Sequence, residues 1–458
     1  MQLINDFVER FASFVWGLPL LILLIGGGLY LLILSRFLPF RYLGHAIQVV
    51  LGKYDNANDP GDINHFQALT TALSSTIGMG NIAGVAVAIS IGGPGAVFWM
   101  WVSAVIGMST KFFTSSLAVM YRGKDSNGDI QGGPMYFITE GLGKRWKPLA
   151  IFFSLCALVG ALPVFNVNQL TQAINSILLT PNGVVVSTST NLIVAAVLVG
   201  ITAIVILGGI SRIGKVASKL VPAMVVLYFV LIICILVIHS DVVPSYFKLI
   251  FTDAFAANSY TGDRFLGGLT GGLILLGIRR GAFSNEAGIG MAPMAHGAAK
   301  TSEPIREGLV AMLGPAIDTL IVCTLTAMAI LVTGVWQTSD ANGVSLTATA
   351  FNSAIPTYGN YLLLLCIVVF SVSSLFSYSY YGTKCMSFLF GAHNKHYYNY
   401  IYILSIVLGA TTSLGLIINL IDGFFALMAI PTMLATILLA PKVLKEAKRY
   451  FNAMKSKA

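Results

Sequence analysis

Long apolar segments alternate with short polar ones along most of the chain. At roughly 17 residues or more, each apolar segment is long enough to cross the hydrocarbon core of a bilayer as a helix. The pattern predicts an all-α polytopic membrane protein with about eleven transmembrane helices. The predicted spans are Leu18–Leu38, Phe66–Ile91, Gly95–Tyr121, Pro148–Leu178, Asn191–Leu207, Val216–His239, Leu266–Gly297, Glu307–Trp336, Tyr358–Lys384, Tyr397–Asn419 and Gly423–Pro441.

The second span contains a polar stretch, SSTIGMGNIAG, from Ser74 to Gly84. Each glycine lowers helix stability by about 1 kcal/mol relative to alanine, so the stretch predicts a break in the helix at mid-membrane. Hydrocarbon cannot hydrogen-bond the freed backbone groups, which are tolerated only where they line a polar cavity or bind a ligand. Transporters use such breaks to bind cations through carbonyl oxygens and substrate carboxylates through half-helix N-termini.

The seventh span carries a second polar stretch, RRGAFSNEAGIG, from Arg279 to Gly290. It lies five spans after the first interrupted helix, and five crossings invert the second copy in the membrane. Two interrupted spans in corresponding positions of two halves indicate a transport site.

Composition and charge agree with a membrane protein. The chain is 56% hydrophobic and 10% charged, with a mean hydropathy of +0.82, which excludes an ordinary soluble protein. Of the 27 Lys and Arg residues, only Arg10, Lys248 and Arg264 fall on the side of the membrane that carries the N-terminus. Arg279 and Arg280 lie within a span. The positive-inside rule therefore predicts a cytoplasmic C-terminus and an external N-terminus. Nucleic-acid binding is not needed to explain the net charge of +9.

No pattern typical of an enzyme is present. The five cysteines lie in or beside apolar spans without a CxxC pair, so neither disulfides nor a zinc site is indicated. The histidines show no HExxH spacing, and neither a GxSxG elbow nor a GxxxxGK[ST] phosphate loop occurs. We therefore expect no metalloprotease, lipase or ATPase chemistry, and the first apolar run lacks a signal-peptide cleavage site.

The backbone N–H groups of Gly78, Met79 and Gly80 are candidates to bind an anionic group. Freed amides at the N-terminus of a half-helix favour a carboxylate. Close packing of two helices on small residues is the alternative explanation of the glycines. The polar side chains clustered around them favour binding, because packing does not require those side chains.

Oxygen atoms around the same break are candidates to bind an alkali cation. Asn81 offers an amide oxygen, Ser75 and Thr76 offer hydroxyls, and unwinding exposes the carbonyls of Ser74 and Ile77. The alternative is that the hydroxyls bond back to their own helix.

Glu286 is an ionisable residue inside the seventh span, where such groups are costly and usually functional. It could receive a substrate ammonium, carry a coupling proton, or form a structural ion pair with Arg279 or Arg280. Asp318, in the eighth span, is expected to be structural. Ser284 and Asn285, which directly precede Glu286, are expected to form walls of the site.

Two further polar groups lie inside spans. In the ninth span, Ser373 and Ser374 with the carbonyl of Phe370 could form a three-oxygen half-site for a cation, or alternatively a polar seam between helices. In the fourth span, amides flank an aromatic side chain and could bind the charged end of a ligand or bond to one another. These residues are Phe165, Asn166, Asn168, Gln169 and Gln172.

The motifs resemble those of the alanine/glycine:cation symporter family. The resemblance rests on Ser74–Gly84, on the GGPGAVFWMW run from Gly92 to Trp101, on QGGPMY from Gln131 to Tyr136 and on RGAFSNEAG from Arg280 to Gly288. It covers nearly the whole chain and implies the leucine-transporter fold, which is a five-plus-five inverted repeat. The implied organisation is an extra N-terminal helix and linker (1–65), a first repeat (66–240), a connection (241–265), a second repeat (266–441) and a basic tail (442–458).

The resemblance also implies roles for individual residues. The N–H groups of Met79 and Gly80 would bind the substrate carboxylate. One sodium ion would be bound by the carbonyls of Ser74 and Ile77 with Ser373 and Ser374, and a second by Asn81, the Thr76 carbonyl and Ser284. Phe165, Phe283 and Phe376 would exclude large side chains.

Together with the interrupted spans, the resemblance implies a sodium-coupled symporter that imports alanine or glycine by alternating access, as a monomer in a prokaryotic plasma membrane. Proton coupling through Glu286 is the alternative within the transporter class. A channel is disfavoured because the polar residues concentrate at mid-membrane instead of forming a continuous path.

Overall fold

A computed structural model describes residues 2–255, 272–411 and 415–456. Of the predicted connection at 241–265, the structure describes residues 241–255. The predicted start of the seventh span at Leu266 lies outside the described residues.

The chain begins with helices that precede the first interrupted span. The first of them, from Gln2, is amphipathic and was not expected from the sequence, because Asp6, Glu9 and Arg10 interrupt its apolar pattern. The elements are α1 (Gln2–Val15), α2 (Leu18–Leu21), a π-helical turn (Ile22–Gly26), α3 (Gly27–Leu34), α4 (Leu38–Arg41) and α5 (Leu43–Val50).

The first interrupted helix breaks at the predicted glycines. It consists of α6 (His65–Thr76), a π-helical turn (Gly80–Gly84) and α7 (Val85–Gly92). A reciprocal capping box between Asn64 and Gln67 begins α6. At Ile77, ψ is 95°, outside the helical region, and the two halves are bent by 55°. The predicted break is therefore confirmed.

The following helices form the remainder of the first half. α8 is the most central, because it packs against both the second interrupted helix and the helix after it. The elements are α8 (Gly95–Met120), a hairpin of β1 (Gly123–Lys124) and β2 (Ile130–Gln131) that pairs Gly123 with Gln131, α9 (Pro134–Tyr136), a π-helical turn (Phe137–Leu142), a 3₁₀ turn (Lys144–Trp146), α10 (Lys147–Gly160), α11 (Val164–Ile174), a π-helical turn (Asn175–Leu179), a 3₁₀ turn (Thr180–Asn182), α12 (Thr188–Ile206) and α13 (Gly209–Ile238).

The second half repeats the pattern of an interrupted helix followed by long helices. The elements are α14 (Val243–Ala254), α15 (Leu273–Asn285), α16 (Ala292–His296), α17 (Pro304–Ala311), α18 (Leu313–Pro315), a π-helical turn (Ala316–Cys323), α19 (Thr324–Val332), α20 (Val335–Thr338), α21 (Val344–Ala354), α22 (Gly359–Phe390), a 3₁₀ turn (Ala392–Asn394), α23 (Lys395–Thr411), α24 (Gly415–Leu427) and α25 (Ala429–Lys455).

The second predicted break is also present. α15 ends at Asn285, and Glu286 adopts the left-handed conformation with φ 54°, which is uncommon for a residue other than glycine. Gly288 and Gly290 also have positive φ angles before α16 begins. The break therefore spans the residues between Asn285 and Ala292.

Within the described residues, eight helices are long and apolar enough to cross a membrane, or nine with the bent pair α6–α7. The count of eleven spans stays a prediction. We call the face at which α8, α22 and α25 end the basic face. Lys111 and Lys384, which fall within the predicted spans Gly95–Tyr121 and Tyr358–Lys384, lie buried within α8 and α22.

Candidate functional site

A cavity of about 410 Å³ lies between the two interrupted helices. Its lining extends from both breaks toward Trp16, Gly343 and Asp422, away from the basic face. The predicted site residues that line it are Ser75, Thr76, Gly78, Met79, Gly80, Phe165, Asn166, Gln169, Arg279, Arg280, Phe283, Ser284 and Glu286.

The side chain of Asn81 stabilises the first break. Its Oδ1 accepts a hydrogen bond from the N–H of Gly78 at 2.9 Å, and its Nδ2 donates to Asp318 Oδ1 at 2.7 Å. The amide oxygen of Asn81, predicted as a cation ligand, is thus bound to the backbone in this structure. Met79 and Gly80 are the remaining predicted N–H donors at the start of the second half-helix.

Asp318 connects the two breaks. Its fully buried carboxylate accepts a hydrogen bond from Asn81 at the first break and another, at 2.9 Å, from Ser284 Oγ in the last turn of α15, directly before the second break. Thr319 Oγ1 donates to the same carboxylate at 2.7 Å. The sequence analysis assigned Asp318 no part in the site, although a carboxylate inside a span was a signal that could have identified it.

Glu286 reaches the cavity and bonds to the neighbouring helix α22. Its Oε1 accepts a hydrogen bond from Tyr378 Oη at 2.6 Å, and Ser75 Oγ lies 3.5 Å from its Oε2. Within the described part of the chain, no ion pair within 4 Å joins Glu286 to Arg279 or Arg280. The structural ion pair left open by the sequence is therefore not formed in this conformation.

Hydroxyl groups line the contact between α6 and α22. Ser377 Oγ donates to the carbonyl of Thr71 at 2.8 Å and is also hydrogen-bonded to Ser74 Oγ. One turn earlier on α22, a Cβ placed on Gly78 would lie 2.9 Å from Ser374 Oγ. The break in α6 thus faces the serine-rich segment of α22 directly.

The predicted half-site on α22 has its three oxygens together. Ser373 Oγ and Ser374 Oγ both donate to the carbonyl of Phe370, at 2.8 and 3.1 Å. All three residues are buried. Ile77 and Ser374 therefore lie on facing helices, as a cation site between α6 and α22 would require.

Four residues predicted to bind the substrate do not line the cavity, namely Asn168, Gln172, Asn285 and Phe376. Asn168 Oδ1 accepts from Gln172 Nε2 at 3.0 Å, which is the mutual bonding left open by the sequence. Asn285 caps its own break by accepting from the N–H of Ala287 at 3.0 Å. Phe376 is buried in the helix bundle outside the cavity lining.

Several lining residues were missed by the sequence analysis. They come from the residue after α1, from α22 and from α24, and only their tertiary position brings them to the cavity. They include Trp16, Tyr378, Asp422 and Phe425.

Comparisons with known proteins agree with this architecture. Residues 1–458 match the model of the sodium:alanine symporter family. The chain is 40% identical over 461 residues to the sodium/alanine symporter AgcS of Methanococcus maripaludis, covering 98% of each chain. It is 33% identical to the amino-acid carrier protein AlsT of Bacillus subtilis, covering 98% of this chain and 93% of that protein.

A solved structure shows the same fold. The crystal structure of MhsT in complex with L-phenylalanine matches with a TM-score of 0.58 at 14% identity, covering 83% of this chain and 89% of that chain. MhsT has the leucine-transporter fold, so the fold class predicted from the motifs is confirmed.

Proposed function

The chain belongs to the sodium:alanine symporter family, and we propose that it imports small neutral amino acids, alanine or glycine, together with sodium ions. The family and its relatives are symporters, so the chain is a membrane transporter and not an enzyme. The observation that carries the proposal is the break of α6 at Ile77, which faces Ser374 of α22 and opens into the same cavity as Phe165.

Sodium would bind between the break in α6 and the serines of α22. The ligands are the carbonyls of Ser74, Ile77 and Phe370 with the hydroxyls of Ser373 and Ser374. Neutral oxygen ligands of this kind suit a hard monovalent cation. A second sodium at Thr76, Asn81 and Ser284 requires the Asn81 amide to release the Gly78 N–H that it now binds.

The amino acid would occupy the cavity beside the break. Its carboxylate would accept hydrogen bonds from the N–H groups of Met79 and Gly80, where the N-terminus of the second half-helix favours negative charge. Ser75, Gln169 and the carboxylate of Glu286 are among the polar groups of the cavity that suit an ammonium. Phe165 and Phe283, whose ring centroids lie 6.3 Å apart, form an apolar wall.

We assign the basic face to the cytoplasm and the N-terminus to the outside, in the plasma membrane of a prokaryote, with the monomer as the functional unit. This orientation rests on the positive-inside rule. The cavity then extends from the breaks toward the outside, from which substrate and sodium would enter. Release would follow movement of the interrupted helices relative to the other helices.

The decisive experiment is uptake of radiolabelled alanine into proteoliposomes. An inward sodium gradient is compared with an equal potassium gradient at fixed pH. Accumulation with sodium alone supports the proposal. Accumulation with neither gradient would contradict the proposed substrate, and equal accumulation with both would contradict sodium coupling.

Proton coupling through Glu286 is a second candidate. It is favoured by the position of this carboxylate on the cavity wall, hydrogen-bonded to Tyr378 and without an ion-pair partner within 4 Å among the described residues. Uptake by a Glu286→Gln protein tests it. A Glu286→Gln protein that still follows the sodium gradient fully would exclude Glu286 as an essential proton carrier.

A further inference from the structure

Trp16 comes from outside both expected repeats, yet it lines the cavity that contains the break in α6. It follows α1 directly, and its side chain is only 2% exposed. The indole therefore belongs to the site through a helix that the five-plus-five repeat does not include.

The sequence of α1 explains how Trp16 reaches this position. Val8, Ala12 and Val15 recur on one helical face and are buried, whereas Phe14 on another face is 79% exposed. The buried face packs on α24, where the rings of Phe11 and Phe424 lie 6.0 Å apart. α1 thus lies against α24 and directs Trp16 toward the cavity.

Two helices, α24 and α15, contact the indole. Its Nε1–H donates to the carbonyl of Asp422 on α24 at 3.2 Å. The guanidinium of Arg279 on α15 lies 5.6 Å from the ring centroid, within the range of a cation–π interaction. The ring of Phe283, also on α15, lies 6.0 Å away. These contacts fix the orientation of the indole at the end of the cavity opposite the basic face.

The indole continues an aromatic wall around the cavity. The centroid of Phe283 is 6.3 Å from that of Phe165 and 6.0 Å from that of Phe425. All four rings line the same cavity of about 410 Å³. A tryptophan with a purely structural role would not need to border this space, and a bulky ring here reduces the room available to a ligand.

We propose that Trp16 is a specificity-determining residue that sets the largest side chain the transporter accepts. The inference rests on the proposed function, because it assumes an amino acid bound beside the break in α6. Such a substrate shares one cavity with the indole, so the volume of the indole subtracts from the volume available to the substrate side chain. Arg279, held against the ring, adds a positive charge that disfavours cationic side chains.

The test compares kcat/KM for alanine and leucine in proteoliposomes containing the wild type, Trp16→Ala, Trp16→Phe and Phe14→Ala. Because pocket size discriminates by roughly tenfold or more per added group, Trp16→Ala is expected to raise the leucine-to-alanine ratio by about tenfold or more. Trp16→Phe should raise the ratio less. Phe14→Ala removes an exposed ring from the same helix and should leave the ratio unchanged.

A purely structural role gives a different result. Alanine and leucine uptake would then fall together, and an unchanged ratio in Trp16→Ala would overturn the inference. If Trp16→Ala is not recovered as a folded protein, Trp16→Phe decides, since an unchanged ratio in that variant also overturns it. Failure of the wild type to transport any amino acid would instead contradict the proposed function.

Discussion

Lys384 on α22 donates from its ammonium to the carbonyl of Met294 on α16 at 3.0 Å. The same ammonium donates to the carbonyl of Gly132, which follows the hairpin, at 2.9 Å. Lys384 is 5% exposed and borders a second cavity of about 770 Å³ at the basic face. Lys384 thereby joins α22 to α16, the second half of the second interrupted helix. Both acceptors of these bonds are backbone carbonyls and not carboxylates.

Loss of these bonds should open the basic face. Hydrogen bonds made by a charged donor contribute roughly 1.5–3 kcal/mol, so Lys384→Met should shift the protein toward a conformation open on this side. The measurement is the rate at which a cysteine at Ser379, a buried residue bordering the same cavity, reacts with an impermeant maleimide in inside-out vesicles. We expect the rate to rise several-fold over the Ser379→Cys protein alone.

Lys395 supplies the control for this change. It borders the same cavity and begins α23, so Lys395→Met removes an equal charge without removing the bonds to Met294 and Gly132. Equal labelling rates in the two lysine variants would show that Lys384 does not hold this face closed.

Gly78→Ala should impair transport by crowding the contact between α6 and α22. The added Cβ would lie 2.9 Å from Ser374 Oγ, closer than side-chain contacts allow, and that hydroxyl is itself bonded to the carbonyl of Phe370. We expect kcat/KM for alanine to fall by roughly tenfold or more. Gly200→Ala is the control, because no atom lies within 4 Å of the Cβ that it would add in α12.

Ser374→Ala should weaken the response to sodium. The substitution removes one proposed oxygen ligand, so the sodium concentration for half-maximal uptake should rise by roughly three- to tenfold. Ser371→Ala is matched to it, since Ser371 is a buried serine on the same helix whose hydroxyl has no partner among the described residues. A similar rise of this sodium concentration in both variants would contradict the assignment of Ser374 as a sodium ligand.

The two breaks could be predicted because their causes are local. Glycines lower helix stability wherever they occur, and a polar segment such as the one around Gly78 is costly in a membrane unless it lines a cavity. Glu286 could be identified for the same reason. Both features depend on residue type and on the surrounding apolar span, which the sequence displays directly.

The partners of these residues could not be predicted, because they depend on which helices meet. Asp318 bonds to Asn81 and Ser284, which are distant in sequence from one another. Trp16 was missed because the charges in α1 conceal its buried face. For Asn168 and Gln172, amides suit a ligand and one another equally well, so the sequence left open the mutual bond that the structure contains.

Glu307 joins the basic-face halves of both interrupted helices to α17. Its carboxylate is fully buried, is hydrogen-bonded to His65 of α6, and lies 2.6 Å from Nδ1 of His296 of α16. Removing the charge of a buried, paired group typically costs about 3 kcal/mol. We therefore expect Glu307→Gln to lower the thermal unfolding midpoint in detergent by several degrees and to loosen both half-helices together.

Glu303, one residue before the same helix, is the matched comparison. It bonds to Arg449, whose side chain is half exposed, and surface ion pairs contribute roughly 0–1 kcal/mol. Glu303→Gln should therefore change the midpoint little. Comparable losses in the two variants would mean that burial of Glu307 between two histidines adds nothing to stability. A large loss confined to Glu307→Gln would support movement of α6 and α16 as one unit, because a single carboxylate bonds to both.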